Sequence, residues 1–418
     1  MPANTENWKQ KTTLFLLSQT ISLLGSSLVQ YAITWYITLQ TESGVMIAIA
    51  TICGFLPTFL ISPFAGVWAD RYSRKRLIIL ADAAIAISTL GLTIAFFAGY
   101  EKLWLIFFIS AIRALGAGVQ MPAVSAMIPS LVPSEQLTRI NGIYGSIQPV
   151  IALGAPALSA FLLANAGISY IFLIDVITAI IGISIFFFFV KIKTHAGAQA
   201  SAGSNFRTEM LSGISYIRNH RQFSILFLFF LAYFVFVAPS VMLPPLQITR
   251  WFGEDVVKLS VVEITFAVGM VLGGIIVAIR KKFSNNIRIL SLSSVLFGLF
   301  SVGLGSFRIF YLYLGFMLLC GVVMPFINTT ATVYLQENAD EAYLGRIFGV
   351  MSMISGGVIP MSMLIFGPLA DVMKIDTILQ FSGISMAALA VLMLFNKTLA
   401  QKPAEIAKKT EQLAEIQH

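Results

Sequence analysis

Charge is scarce in this sequence. Asp, Glu, Lys and Arg make up 11% of its 418 residues, whereas 57% are hydrophobic. An average soluble domain is about a quarter charged. A water-soluble fold of this length cannot hide so much apolar surface, so lipid must serve as the outer solvent. Cysteine and histidine are equally sparse. Cys53 and Cys320 lie inside apolar runs and read as packing residues, which argues against a disulfide framework. His195, His220 and His418 have no metal-like spacing. G-x-x-x-x-G-K-[ST], H-E-x-x-H and G-x-S-x-G are all missing, which removes the familiar ATPase, metalloprotease and serine-hydrolase readings. The net charge of +8 would suggest nucleic acid in a soluble protein. Here the position of each charge matters more, and no nucleic-acid partner is expected.

What is present is a series of long apolar runs. A bilayer core needs about 20 apolar residues of helix. Twelve runs meet that length: 14–37, 44–68, 77–97, 103–124, 140–164, 168–190, 223–242, 260–279, 288–306, 309–331, 346–369 and 376–396. None alternates as a transmembrane barrel strand would, so an all-α membrane protein is expected. Short connections suggest that neighbours in sequence are antiparallel neighbours in space. The polar start runs directly into the first span and reads as uncleaved.

Loop cations set the orientation. Twenty-one of the 27 Lys and Arg residues fall in one alternate set of segments, from Lys9 to Lys409. Lys102, Arg250, Lys258, Arg308 and Lys374 fall in the other, and Arg113 stands inside a span. Both termini are therefore expected in the cytoplasm. The longest polar stretch, 191–222, divides the chain into six-helix halves at 1–190 and 223–396, with a tail at 397–418 that is expected to be helical after Pro403. Within the linker, Phe206, Met210, Ile214 and Ile217 share one helical face, away from Arg207, Glu209 and Arg218. This reads as a short amphipathic helix on the membrane surface, or as a disordered linker.

The halves repeat each other. Gly118-Val-Gln-Met-Pro122 in span four matches Gly321-Val-Val-Met-Pro325 in span ten, and Leu137-Thr-Arg-Ile-Asn-Gly142 matches Leu344-Gly-Arg-Ile-Phe-Gly349. A shorter inverted match pairs Gly66-Val-Trp-Ala-Asp70 with Gly367-Pro-Leu-Ala-Asp371. Duplicated halves are the plan of many secondary transporters.

The loop after span two reads Gly66-Val-Trp-Ala-Asp70-Arg71-Tyr-Ser-Arg74-Lys75-Arg76. It resembles G-x-x-x-D-R-x-G-R-[KR], the signature loop of the major facilitator superfamily, with Ser73 in place of glycine. Gly66, Asp70, Arg71, Arg74 and Lys75 then form the expected gate motif. Asp70 would act as a latch between conformations, and Gly66 would allow close helix approach. Over nearly its whole length the chain also resembles the macrolide-efflux family. That likeness is carried by Asn7-Trp8-Lys9, Gly54-Phe-Leu-Pro57, Ala81-Asp82, Ile112-Arg113, Leu131-Val-Pro-Ser-Glu-Gln-Leu-Thr138, Ile174-Asp-Val176, Glu263-Ile-Thr-Phe-Ala267 and Tyr343-Leu-Gly-Arg346. The resemblance implies a proton-coupled drug exporter of a bacterial plasma membrane with no bound cofactor. Its expected partners are protons, a small apolar substrate and the bilayer, and its expected working unit is the monomer. The antiporter motif of span five is degenerate here, Gly154-Ala-Pro-Ala-Leu-Ser-Ala160.

Ionisable groups inside the membrane are costly and are functional candidates. Asp82, Arg113, Asp175 and Glu263 are the candidates for proton coupling. Arg113 lies near the midplane and would set the proton affinity of a nearby acid or hold substrate, unless it only satisfies backbone carbonyls. Asp82 lies some 7 Å from it in depth by helical rise, within reach of a long side chain. Gln19, Gln30, Trp35, Tyr233 and Asn328 are candidates to line a substrate cavity between the halves, and 34 Phe residues suit shape-tolerant apolar contact. A facilitator, or an exporter of lipid or another metabolite, on the same scaffold stays open.

Overall fold

The computed structural model describes residues 8–190, 206–280, 285–340 and 343–400. Fifteen α-helices follow in order: α1 (Trp8–Thr41), α2 (Gly44–Arg71), α3 (Arg74–Phe97), α4 (Leu103–Leu131), α5 (Leu137–Asn165), α6 (Ile168–Phe189), α7 (Phe206–Asn219), α8 (Arg221–Met242), α9 (Pro244–Phe252), α10 (Val256–Ile279), α11 (Asn286–Leu304), α12 (Phe310–Asn338), α13 (Leu344–Val372), α14 (Ile375–Leu394) and α15 (Lys397–Ala400). Among the described residues, twelve helical segments are long and apolar enough to cross a membrane. They correspond to the twelve expected runs, most of them extended at one end or both. The tail after Ala400, with its expected helix, and linker residues 191–205 lie outside the described residues.

The seventh span differs from expectation. It continues past Met242 into α9, and the break falls at Leu243, before Pro244-Pro245. Proline cannot donate to the helix ladder, so two in sequence interrupt it. The chain forms two compact units, Met1–Gly203 with Pro245–Ile264, and Ser204–Pro244 with Thr265–His418. The second set of residues in the first unit is nearly all of α9 and the start of α10.

Packing does not follow chain order throughout. In the first unit α1 packs mainly on α6, α2 on α4, and α3 on both α4 and α6. Short loops tie helix ends together, but the apolar faces choose the partners. Two apolar clusters fill this unit. Leu28, Ile33, Leu92, Ile109 and Phe172 belong to one, and Phe15, Ile78, Ala123, Met127 and Phe186 to the other. On α1, α3, α4 and α6 alike, most of the buried residues between these two sets are polar or small, Ser18, Gln19, Ser22, Asp82, Thr89, Ser110 and Asp175 among them, with Ile85 and Val176 as exceptions. The interior is thus layered, apolar then polar then apolar.

The repeated glycine of spans four and ten has the same use in both units. A Cβ on Gly118 would stand 3.0 Å from the Thr58 Cα of α2, and one on Gly321 would stand 3.0 Å from the Gly269 Cα of α10. Only glycine admits so close a helix crossing.

In the second unit α11 packs on α14 and α12, and α8 on α13 and α14. Helix α7 packs on α8 and α13. Of its expected apolar face, Ile217 is buried and Ile214 is 44% exposed; the Phe206 side chain lies outside the described residues, as do those of Arg207 and Glu209. A polar contact fixes the helix. The Tyr216 hydroxyl donates to Asp340 Oδ2 at 3.0 Å, and its ring stacks between His220 and Tyr343. Arg346 closes the stack over Tyr343.

Candidate functional site

The polar layer of the first unit is built from four helices. Arg113 of α4 forms an ion pair with Asp175 of α6, and the same guanidinium nitrogen contacts the Thr89 hydroxyl of α3. Asp175 is 1% exposed and Arg113 12%. The carboxylate is further held by Thr89 Oγ1, donating to Oδ2 at 3.1 Å, and by Ser26 Oγ of α1, donating to Oδ1 at 3.2 Å. A buried ion pair persists when its remaining lone pairs are also satisfied. Gly25 makes room for it. A Cβ there would lie 3.0 Å from Asp175 Oδ1 and would collide with the Thr178 hydroxyl.

Asp82 does not join Arg113, which corrects the expected pairing. Its Oδ1 accepts from the Gln120 amide of α4 at 2.5 Å and from Ser22 of α1 at 3.4 Å. The reason is register. Arg113 and Gln120 are seven residues apart on α4, and Asp82 and Thr89 seven apart on α3, so each pair is separated by about two turns of one face. Because α3 and α4 lie side by side in opposite directions, Gln120 meets Asp82 while Arg113 meets Thr89 and, beyond it, Asp175.

Gln19, expected to line a substrate cavity, is 6% exposed and accepts from Gln120 at 3.5 Å, in the same layer. Trp35 and Tyr233 are 1% exposed each. Tyr233 stacks on Phe229 and donates to the Ser294 carbonyl. Gln30 and Asn328 are exposed. Gln30 lines a small cavity of about 30 Å³ in the first unit, together with Thr34, Thr51, Gly54 and Ser110. Glu263 is half-buried on α10 near the Tyr31 phenol. Among the described residues no hydrogen bond ties it to the Asp82–Asp175 layer.

Within the gate motif, Arg74 donates to the Ala69 carbonyl at 3.2 Å and the Ala126 carbonyl at 2.8 Å. Lys75 donates to the Phe187 and Val190 carbonyls, both at 2.8 Å. These cations sit on the carbonyl ends of α2, α4 and α6, where the helix dipole favours them. Arg71 is exposed, and the Asp70 side chain lies outside the described residues. One expectation changes. A Cβ on Gly66 would meet nothing within 4 Å, so this glycine makes no close approach here. Ser73 caps α3 with φ −62°, so the loop turns without the left-handed residue that a glycine would supply. Outside the motif, Arg308 bridges Asp376 at 2.8 Å.

Sequence reasoning missed Ser22, Ser26, Thr89 and Gln120. The signal was there: Ser18, Ser22 and Ser26 recur every fourth residue on α1, a polar stripe inside an apolar helix.

Among the described residues, twelve helical segments of membrane-spanning length, with a charge pair buried inside the first unit, mark a multi-pass membrane protein. A family model described as Major Facilitator Superfamily matches residues 15–363, and the chain belongs to that superfamily. It is 30% identical to Macrolide efflux protein A of Streptococcus pyogenes over 387 residues, 92% of this chain and 95% of that one. It is 30% identical to a Macrolide efflux protein A of Enterococcus faecalis over 320 residues, 76% of this chain and 99% of the other. Among solved structures, a bacterial homologue of the iron transporter ferroportin in an inward-facing state superposes with a TM-score of 0.68 at 15% identity, covering 93% of this chain and 99% of that chain. At that identity the likeness concerns the fold alone.

Proposed function

We propose that this chain is a proton-coupled efflux transporter that exports apolar drugs of the macrolide type from the bacterial cytoplasm by alternating access. The two macrolide efflux relatives support the substrate class. The observation that carries the coupling is the Arg113–Asp175 pair, buried between membrane-spanning helices and held by Thr89 and Ser26. Charges so placed are expensive, and an acid with a cationic partner is a group whose protonation changes its contacts. In the charged form Asp175 binds Arg113 and fastens α6 to α4. Taking up a proton neutralises the carboxylate and frees the guanidinium. The helices it joined then acquire a second preferred arrangement, which is what a coupled transporter needs. Asp82, held by the neutral Gln120 and Ser22, is the second acid of the relay.

The loop cations place both termini in the cytoplasm in this reading. Asp70 serves as the latch that holds one conformation, so Asp70→Asn slows turnover more than it weakens drug binding. The decisive experiment is accumulation of a labelled macrolide in cells with and without the protein, repeated with a protonophore. Lower accumulation that the protonophore abolishes is the expected result. Export that persists unchanged after collapse of the proton gradient would remove the coupling.

A further inference from the structure

The cavity beside Gln30 lies one turn along the helices from the buried ion pair. On α1, Ser26 holds Asp175 and Gln30 follows four residues later, about 6 Å at helical rise. On α4, Arg113 holds Asp175 and Ser110 precedes it by three residues, about 4.5 Å in the same direction because α4 runs opposite to α1. Both helices thus carry a polar group from the ion pair to the cavity wall, towards the end bearing the α1–α2 and α3–α4 connections. The third wall is α2, with Thr51 and Gly54.

The wall has hydrogen-bonding capacity to spare. Neither the Gln30 amide nor the Ser110 hydroxyl has a hydrogen-bond partner among the described residues. Thr34 and Thr51 donate to the carbonyls of Gln30 and Ile47 on their own helices and keep oxygen lone pairs free to accept. A volume of about 30 Å³ exceeds what one water needs, and water stays in a cavity that offers it two to four polar partners.

We infer that this cavity is a water site that delivers protons to Asp175 from the side of the α1–α2 connection, the outer side in the orientation proposed above. The inference rests on the proton-coupled reading. A hydronium ion reaching the water site passes one proton along the Gln30–Ser110 wall to Asp175 Oδ1 or Oδ2. The carboxylate becomes a carboxylic acid, water is left behind, and Arg113 loses its anionic partner. The charged and titratable groups facing Asp175 are Arg113 on α4 and, one layer further, Asp82 on α3. The only formal charges on α1 are Lys9 and Lys11, at its far end.

Gly54 offers a direct test, because a Cβ added there meets nothing within 4 Å and a longer apolar side chain fills the cavity. In proteoliposomes, Gly54→Leu and Ser110→Val should slow erythromycin flux driven by a pH gradient about tenfold, a barrier increase of about 1.4 kcal/mol. Erythromycin exchange at equal pH should stay within about twofold of the parent, and Ser110→Thr, which keeps the hydroxyl, should retain gradient-driven flux. Full gradient-driven flux in Gly54→Leu, or an equal loss of exchange, would overturn the water site. Asp175→Asn measured alongside separates the two readings: if it too keeps full gradient-driven flux, coupling through Asp175 fails first.

Discussion

Asp82 is the ninth residue of α3, and Ser294 is the ninth residue of α11. Asp175 is the eighth residue of α6, and Ser382 is the eighth of α14. The neighbours agree with this counting. Ser22 of α1, the first span, reaches Asp82, and Tyr233 of α8, the seventh, reaches Ser294. Among the described residues the second unit buries no carboxylate; its buried polar side chains are hydroxyls and the Gln222 amide. The hydroxyls of Ser294 and Ser382 have no partner there. The same architecture therefore closes with serine at both positions. Acids are not needed for these helices to pack, and in the first unit they require an Arg, three hydroxyls and a glutamine to be accommodated. Groups that the fold does without, and that cost so much to bury, are the ones to which the proposed proton coupling assigns a role.

The sharpest way to break this contrast is to unbalance the charged unit. Arg113→Ala leaves Asp175 buried without its cation, and removal of one partner from a buried pair costs about 3–5 kcal/mol. A large fall in thermal stability in detergent is expected, with loss of gradient-driven flux. The double variant Arg113→Met with Asp175→Leu should recover most of the stability and none of the flux, because apolar residues of similar volume replace such pairs well. Recovery of flux would place the pair in folding alone.

Packing should respond alike in both units, since Gly118 and Gly321 face equivalent crossings. Gly118→Val and Gly321→Val are each expected to cost about 1–3 kcal/mol through overpacking, read by thermal unfolding. Gly66→Ala, with open space around it, should change stability by less than about 0.5 kcal/mol. A smaller effect belongs to the linker helix. Tyr216→Phe removes the hydrogen bond to Asp340 at an expected cost of about 1 kcal/mol, measurable as faster proteolysis near α7. The smallest concerns the serines. Ser294→Ala and Ser382→Ala delete unpartnered hydroxyls and should shift stability by less than about 1 kcal/mol, with flux unchanged.

Much of this fold was legible because lipid imposes a crude rule: a spanning helix must be long and apolar, and cations mark one side. Counting runs therefore found the spans. It did not find α9, whose polar Gln247, Thr249 and Arg250 lower its apolar signal while Gln247 is fully buried. The site was legible by residue type and illegible by pairing. Arg113, Asp82 and Asp175 stood out because charge inside a span is rare. Depth along one helix could not reveal that α3 brings Thr89, and not Asp82, to Arg113, since that depends on which faces of α3, α4 and α6 meet. Trp35 and Tyr233 are large polar aromatics, which suit either a ligand or a core, and residue type alone does not separate the two; both are buried here.

The account rests on Asp175 exchanging a proton during drug export. The measurement that tests it most directly is erythromycin flux in proteoliposomes carrying the parent or Asp175→Asn, with and without an imposed pH gradient. The expected result is a parent accelerated by the gradient and a variant that moves drug downhill at a rate indifferent to it. Equal acceleration of both by the gradient would contradict the account.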